Sequence, residues 1–152
     1  MLNLIVQNSP VFLQLILATL LGSLLGVERS LAHKTAGMRT YALVSLGAAL
    51  FVIISQNVLA GLPNGITFDP LRMAAQVVTG IGFLGAGLIF FNQEKLQGLT
   101  TAAGLWVAAG IGMAVGFGQN SIALFTTAIT LLIFTSFWFV ERKIEETFEK
   151  KM

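Results

Sequence analysis

Residues 101–117 of the chain read TAAGLWVAAGIGMAVGF, a run without a charged side chain. A helix needs about 20 mainly apolar residues, roughly 17–25, to cross the hydrocarbon core of a bilayer. Small residues recur at every fourth position of this run, and such ladders let membrane helices approach each other closely. The run therefore predicts a transmembrane helix that packs through one small-residue face, which comprises Gly104, Ala108, Gly112 and Gly116.

Four further apolar runs accompany this one, and no Asp, Glu or Lys lies inside any of them. Asp69 is expected to cap the third helix, with Pro70 at its first position. Thr100 is expected to cap the fourth helix, and residues 62–65 and 119–121 are predicted to form turns. The predicted spans are residues 11–27, 41–60, 71–91, 101–117 and 121–140.

The overall composition points to a lipid environment. The 152-residue chain is 55% hydrophobic and 11% charged, with a mean hydropathy of +0.83, whereas soluble domains carry about 25% charged residues. Because the first basic residue is Arg29, the run at 11–27 is expected to be an uncleaved span and not a signal peptide. The prediction is an all-α polytopic membrane protein, with a five-span domain at residues 1–140 and a short charged cytoplasmic helical tail at residues 141–152.

The basic residues predict the orientation, since short loops rich in Lys and Arg stay in the cytoplasm. The loops on one side of the membrane hold every basic residue except Arg72, and the loops on the other side hold none. The basic side comprises residues 28–40, 92–100 and 141–152. The expected orientation therefore has the N-terminus outside and the C-terminus in the cytoplasm.

Glycines are frequent in the predicted spans, and their faces are expected to be buried against other helices, within the chain or across a homodimer. In a homodimer, Gly22 and Gly26 or the ladder in residues 104–116 are expected at or near the interface. The segment GIGFLG at 80–85 matches a dinucleotide-binding fingerprint, but that motif requires a βαβ unit, so no cofactor is expected. The expected packing positions are Gly22, Gly26, Gly80, Gly82, Gly85, Gly87, Gly104, Gly112 and Gly116.

Three polar residues share one helical face at the start of the third span. Asp69, Arg72 and Gln76 occur at positions i, i+3 and i+7. An Arg within a span is costly and usually pairs or points into the protein, and Asp69 is its nearest partner. A capping role explains Asp69 equally well, whereas Arg72 and Gln76 favour a function or a specific interhelical contact.

Other chemical groups are sparse. The chain has no cysteine, which excludes disulfides, thiolate metal sites and cysteine nucleophiles. His33 is interpreted as a solvated loop residue, because a lone His is weak evidence for a metal. No acidic residue lies near the middle of a span, and no catalytic motif is present, so enzymatic activity is not predicted and a metal site is not assigned. The basic residues are dispersed, so the expected partner is the lipid bilayer and not nucleic acid.

Several motifs together resemble the MgtC/SapB family of bacterial inner-membrane proteins. They are GVER at 26–29, KTAGMRT at 34–40, LVSLG at 43–47, DPLRMAAQVV at 69–78, GIGFLGAG at 80–87 and GLTTAAGLW at 98–106. Their order and spacing cover about residues 22–116. The polar and aromatic positions within them are the candidate functional residues: Glu28, Arg29, Arg39, Thr40, Asp69, Arg72, Gln76, Thr100, Thr101 and Trp106.

The resemblance implies a five-span membrane domain linked to magnesium homeostasis and growth at low Mg²⁺, and in some members to survival inside host cells. It also implies an effect on the proton-driven ATP synthase or on the membrane potential. Longer members carry a cytoplasmic α/β domain after the membrane domain, whereas this sequence stops at Met152. Two hypotheses remain open at this point: a modulator that acts through other membrane proteins, and a small oligomeric transporter or channel for Mg²⁺ or another solute.

Overall fold

The computed structural model describes residues 9–61, 63, 69, 71–92 and 95–149, with side chains up to residue 137. Each of the five helices in this part of the chain is long and apolar enough to cross a membrane, which confirms the predicted number of spans. The elements are α1 (Ser9–Leu31), α2 (Met38–Ala60), α3 (Leu71–Leu88), β1 (Phe90–Asn92), β2 (Lys95–Gln97), α4 (Leu99–Gly116) and α5 (Asn120–Glu149).

Helix α4 is the centre of the bundle, because it contacts each of the other four helices. Of the apolar 18-residue stretch of α4 that could cross a membrane, 56% is buried inside the bundle, whereas the corresponding share for α3 is 11%. The largest fully buried side chains come from α1, α2 and α4, and they include Leu25, Tyr41, Val52, Leu105, Ile111 and Val115. The apolar run at residues 101–117 therefore forms the helix around which the others pack.

Close backbone approach at glycine joins α1, α2 and α4. A Cβ atom at Gly22 would lie 2.6 Å from the carbonyl oxygen of Tyr41, and Gly26 lies equally close to the first turn of α2. On α4, Gly112 lies directly against the backbone of Ser45. Larger residues at these positions would force the helices apart, so the glycines set the interhelical distances.

The third predicted span is too long, since α3 ends at Leu88 and not at residue 91. The chain then forms an antiparallel hairpin from β1 and β2. Gly98, with a φ of 90°, lies so close to the Leu88 carbonyl that a Cβ atom there would clash. Glycine adopts this left-handed conformation without a steric penalty. The hairpin thus returns the chain from the end of α3 to the start of α4 over a very short distance.

The capping predictions have different outcomes. Asp69 Oδ1 accepts a 2.9 Å hydrogen bond from the Leu71 N–H group, which confirms Asp69 as a cap. Thr100 is not the cap of α4, because it lies inside the first turn and Gly98 occupies the N-cap position without a side-chain hydrogen bond. Of the predicted turn at 62–65, only Pro63 is described, and Pro70 and residues 150–152 lie outside the described residues. Helix α5 continues without a break past the predicted end of its span at residue 140.

The two ends of the bundle differ in charge. One end, which we call the basic end, carries the α1–α2 loop and the hairpin, with Lys34, Arg39 and Lys95. At the opposite end, where α1 starts and α4 finishes, Gln14 Nε2 donates a 3.0 Å hydrogen bond to the Val115 carbonyl. The same carbonyl also accepts a hydrogen bond from the Gly118 N–H group, so the Gln14 side chain adds a second donor there and joins the start of α1 to the end of α4.

Candidate functional site

Arg29 is a buried charge at the basic end. Its side chain lies in the last turn of α1, is only 4% exposed and forms an ion pair with Glu28. The guanidinium carbon also lies 3.8 Å from the ring centroid of Phe134 on α5, which is a cation–π geometry. The charge is thus compensated locally, and the arrangement links α1 to α5.

Tyr41 extends this arrangement to α4. Its buried hydroxyl donates a 3.1 Å hydrogen bond to the Thr101 carbonyl. Gly104 leaves room for this contact, because a Cβ atom there would collide with the Tyr41 hydroxyl and with the Phe134 ring. We call the five residues that meet here the buried polar cluster: Glu28, Arg29, Tyr41, Thr101 and Phe134.

Two members of the buried polar cluster were not predicted from the sequence. Tyr41 is the only tyrosine of the chain. A buried tyrosine usually requires a hydrogen-bond partner for its hydroxyl. The position of Tyr41 at the start of a predicted span could therefore have marked it as a member of a buried polar contact. Phe134 is one of 12 phenylalanines, and nothing in the sequence distinguishes it from the others.

The other candidates near the basic end lie outside the cluster. Arg39, Thr40, Thr100 and Trp106 are exposed, and Trp106 is 55% exposed on the outer side of α4. Such a position suits an aromatic anchor at the membrane interface. The structure therefore separates the residues of the GLTTAAGLW motif, since Thr101 points into the bundle and Thr100 and Trp106 do not.

Arg72 and Gln76 lie on the outward side of α3, Asp69 directly precedes this helix, and all three residues are exposed. Asp69 and Arg72 are both described and do not form an ion pair. Among the described residues, the salt bridge is that between Arg29 and Glu28, at the basic end. Helix α3 packs through its opposite side, where Ile81 and Gly85 are buried. The predicted polar face thus exists, but it points away from the chain's own bundle.

Small residues continue this outward side along α3. A Cβ atom added at Gly80, Gly82 or Gly87 would meet no atom within 4 Å, so the packing expected for these glycines does not occur within the described chain. At 3.6 residues per turn, a set of exposed positions falls on one side of the helix. We call this set the α3 face: Arg72, Ala75, Gln76, Thr79, Gly82, Phe83 and Ala86.

The two groups of residues suit different tasks. The buried polar cluster holds four helices together, and the α3 face is available for contact with something outside the chain. In the described part of the chain, no group of three or more His, Cys, Asp and Glu side chains is arranged to hold a metal ion.

These features define the class of the protein: a multi-pass membrane protein with five long helices, four of which pack around a glycine-rich central helix. The chain matches the MgtC family over residues 15–143. It therefore belongs to the MgtC family.

Curated relatives include YhiD of Escherichia coli strain K12, which bears the name "Putative magnesium transporter YhiD" and is 42% identical over 133 residues, or 86% of this chain and 62% of that protein. Protein MgtC of Salmonella typhimurium strain LT2 is 47% identical over 122 residues, which is 80% of this chain and 50% of that protein. Protein MgtC of Brucella abortus is 52% identical over 89 residues, or 59% of this chain and 35% of that protein. The chain thus spans between about a third and two thirds of the length of these relatives. No solved structure matches.

Proposed function

We propose that this chain is a bacterial inner-membrane protein of magnesium homeostasis, which supports growth at low Mg²⁺ as a modulator of other membrane proteins. Membership of the MgtC family supports the link to magnesium, as does the similarity to YhiD, whose name describes magnesium transport. In the proposed orientation the N-terminus is outside and the basic end lies in the cytoplasm, because Lys and Arg favour that side.

The observation that carries the modulator proposal is the α3 face. Arg72 and Gln76 are exposed on the outer surface of the bundle, where contact with lipid would be costly for polar side chains. A conduction pathway through the monomer would place such side chains inside the bundle. On the outside they can instead be covered by another protein, so contact between proteins is the role that this geometry favours.

A second copy of the chain is the first partner that we propose for the α3 face. The interface expected from the sequence is already occupied, since Gly22, Gly26 and Gly112 pack against α2 within the chain. Two copies in one membrane run parallel, and a twofold axis beside α3 would bring Asp69 of each copy near Arg72 of the other. The small residues of the α3 face recur at heptad spacing, which permits close approach.

Such a dimer leaves the outer sides of α2 and α5 free for other membrane proteins. Both helices expose large apolar side chains there, including Leu43, Phe51, Phe125 and Leu132. Among candidate partners, the proton-driven ATP synthase is the one that the family resemblance suggests.

The name of YhiD favours a second candidate function, an oligomeric transporter for Mg²⁺ or another solute. Purified protein in liposomes that contain a Mg²⁺-sensitive dye separates the two functions. The modulator proposal expects no Mg²⁺ flux above that of empty liposomes. Flux that depends on the amount of protein would establish the transporter instead.

The growth test of the proposal uses Arg72→Ala and Asp69→Ala. We expect each variant to impair growth at low Mg²⁺ while its amount in the membrane stays that of the wild type, because each change removes one charge of the contact proposed between Asp69 of one copy and Arg72 of the other. Arg72→Lys should restore growth only in part, since an ammonium group lacks the planar fork that grips a carboxylate. Leu13→Ala, at an exposed apolar position of α1 to which no partner is assigned, is the matched control and should grow normally. Full growth of an inserted Arg72→Ala protein would remove Arg72 from the functional site.

A further inference from the structure

The hairpin between α3 and α4 has two chemically different faces. Residues that are directly paired in an antiparallel sheet point to the same face, and neighbours along a strand point to opposite faces. Phe91 pairs with Leu96 on one face, which we call the apolar face of the hairpin. The other face carries Phe90 and Gln97, which line a cavity together with Lys34 of the α1–α2 loop. The apolar face therefore points away from the bundle.

The apolar face is largely exposed. Phe91 is 79% exposed and Leu96 is 43% exposed, and the two side chains adjoin each other across the strands. Adjoining large apolar side chains on a surface mark a site of contact with a protein or a membrane. The position of the hairpin and the charge around it decide between these two occupants.

The hairpin lies close to the membrane surface, because it joins two helices that are long and apolar enough to span the membrane. Phe91 is three positions after the end of α3 at Leu88, and Leu96 is three positions before the start of α4 at Leu99. A segment of three residues spans at most about 10 Å. Trp106, which is also exposed, is an aromatic residue of the type that favours the membrane interface. The apolar face is therefore within reach of the boundary between lipid headgroups and acyl chains.

The charge around the hairpin is complementary to anionic lipid. Residues 32–40 and 89–98, which lie at the basic end, hold three basic residues and one acidic residue. The acidic residue, Glu94, lies outside the described part of the chain. A positive surface beside the membrane attracts anionic lipid headgroups. The basic residues, all of them exposed, are Lys34, Arg39 and Lys95.

We propose that the hairpin is an interfacial anchor for anionic phospholipid, with Phe91 and Leu96 among the acyl chains and the Lys95 ammonium at the headgroup phosphate. Lys95 is on the same face as Gln97, so the hairpin presents apolar side chains on one face and charge on the other, as an amphipathic helix does at a membrane surface. The long side chain of lysine can reach from this depth to the phosphates. The proposal is independent of the magnesium function, because it depends only on the geometry and charge of the basic end.

The first test measures the depth of the hairpin in the membrane. Because the chain has no cysteine, Phe91→Cys and Asn92→Cys can each carry one bimane fluorophore in the full chain, reconstituted into vesicles of phosphatidylcholine and phosphatidylglycerol. Neighbours on one strand face opposite ways, so these two exposed positions are a matched pair. The label at residue 91 should emit at shorter wavelength, be quenched by nitroxide-labelled lipid and be shielded from aqueous iodide. The label at residue 92 should be quenched by iodide.

Two outcomes of this test overturn the proposal. If iodide quenches both labels equally, the apolar face lies in water and is open to a soluble partner. If the label at residue 91 is shielded from iodide and from the lipid nitroxide alike, protein covers the face.

The second test measures the lipid preference with the label at residue 91. Nitroxide carried by phosphatidylglycerol should quench this label more strongly than nitroxide carried by phosphatidylcholine. Lys95→Gln should lower the relative affinity for phosphatidylglycerol about fivefold, because one lysine near an anionic surface contributes about that factor. Lys95→Arg keeps the charge and is the matched control, which should retain the preference of the wild type. Equal quenching by the two lipids, or equal losses in the two variants, would refute the binding of anionic headgroups by Lys95.

Discussion

His33 has a backbone conformation that costs stability. It follows α1 with a φ of 53°. Its N–H group donates to the Ser30 carbonyl, and the Lys34 N–H group donates to the Arg29 carbonyl, which are the hydrogen bonds of a Schellman cap. Glycine is preferred at this position because an L-residue in the left-handed conformation is strained by about 1–2 kcal/mol.

We therefore expect His33→Gly to stabilise the detergent-solubilised protein by up to about 1 kcal/mol, the strain relief being partly offset by the greater freedom of the unfolded chain. Thermal unfolding followed by circular dichroism measures the effect as a higher midpoint temperature. The His33 side chain is exposed, so little contact is lost. His33→Ala keeps the left-handed strain, so its thermal midpoint should not rise. If His33→Ala raised the midpoint as much as His33→Gly, the effect would come from removal of the imidazole and not from relief of backbone strain.

Helix α4 offers two glycines on different sides of one element. Gly112 lies directly against the Ser45 backbone of α2, whereas a Cβ atom at Gly110 would meet nothing within 4 Å. Position 112 therefore sets the distance between α2 and α4, and position 110 does not. The ladder of small residues in the sequence marks Gly112 but cannot show which neighbouring helix it meets.

We expect Gly112→Leu to destabilise the fold by about 1–3 kcal/mol or more, because the larger side chain must displace backbone and not a flexible side chain. Gly110→Leu should be neutral or slightly stabilising, since leucine is the better helix former by about 0.5–1 kcal/mol. Thermal midpoints and the yield of monodisperse protein from gel filtration measure both variants. Equal losses at the two positions would show that helix propensity, and not interhelical contact, governs α4.

The hairpin between α3 and α4 shows why hydropathy alone does not predict the residue at which α3 ends. Phe90 and Phe91 extend the apolar run of α3, so hydrophobicity continues past the point at which the helix ends. The helix ends where the Leu88 carbonyl lies too close to Gly98 for a Cβ atom to fit, and these two residues are ten positions apart. Gly98 is a recognisable break in the sequence, but its partner becomes known only when α3 and α4 are packed side by side.

The homodimer is a prediction about the whole molecule, and the absence of cysteine from the chain allows a direct test. Thr79→Cys, on the α3 face, is expected to form a disulfide-linked dimer in native membranes under mild oxidation, because a twofold axis beside α3 brings the two copies of this position together. Leu132→Cys is exposed to a similar environment on α5 and should remain monomeric. If Leu132→Cys crosslinks as well as Thr79→Cys, the dimer does not use the α3 face.

The sequence by itself determined the number of helices, because a bilayer requires about 20 apolar residues for each crossing and the charged residues fall between such runs. It also indicated the small-residue positions of α1 and α4 and the cap at Asp69, since both depend on local spacing. The family could be recognised at the same level, from polar residues in a fixed order among glycines.

Tertiary structure alone decided which small-residue faces are used within the chain and which remain free. Gly22 and Gly112 contact α2, while a Cβ atom at Gly80 or Gly82 would meet no atom of the described residues within 4 Å, although all four have the same appearance in the sequence. It also decided that Arg29 is buried over Phe134 and that Arg72 is not buried. The reason is that burial depends on the rotation of each helix about its axis, and that rotation is fixed by its neighbours in the bundle and not by its own composition.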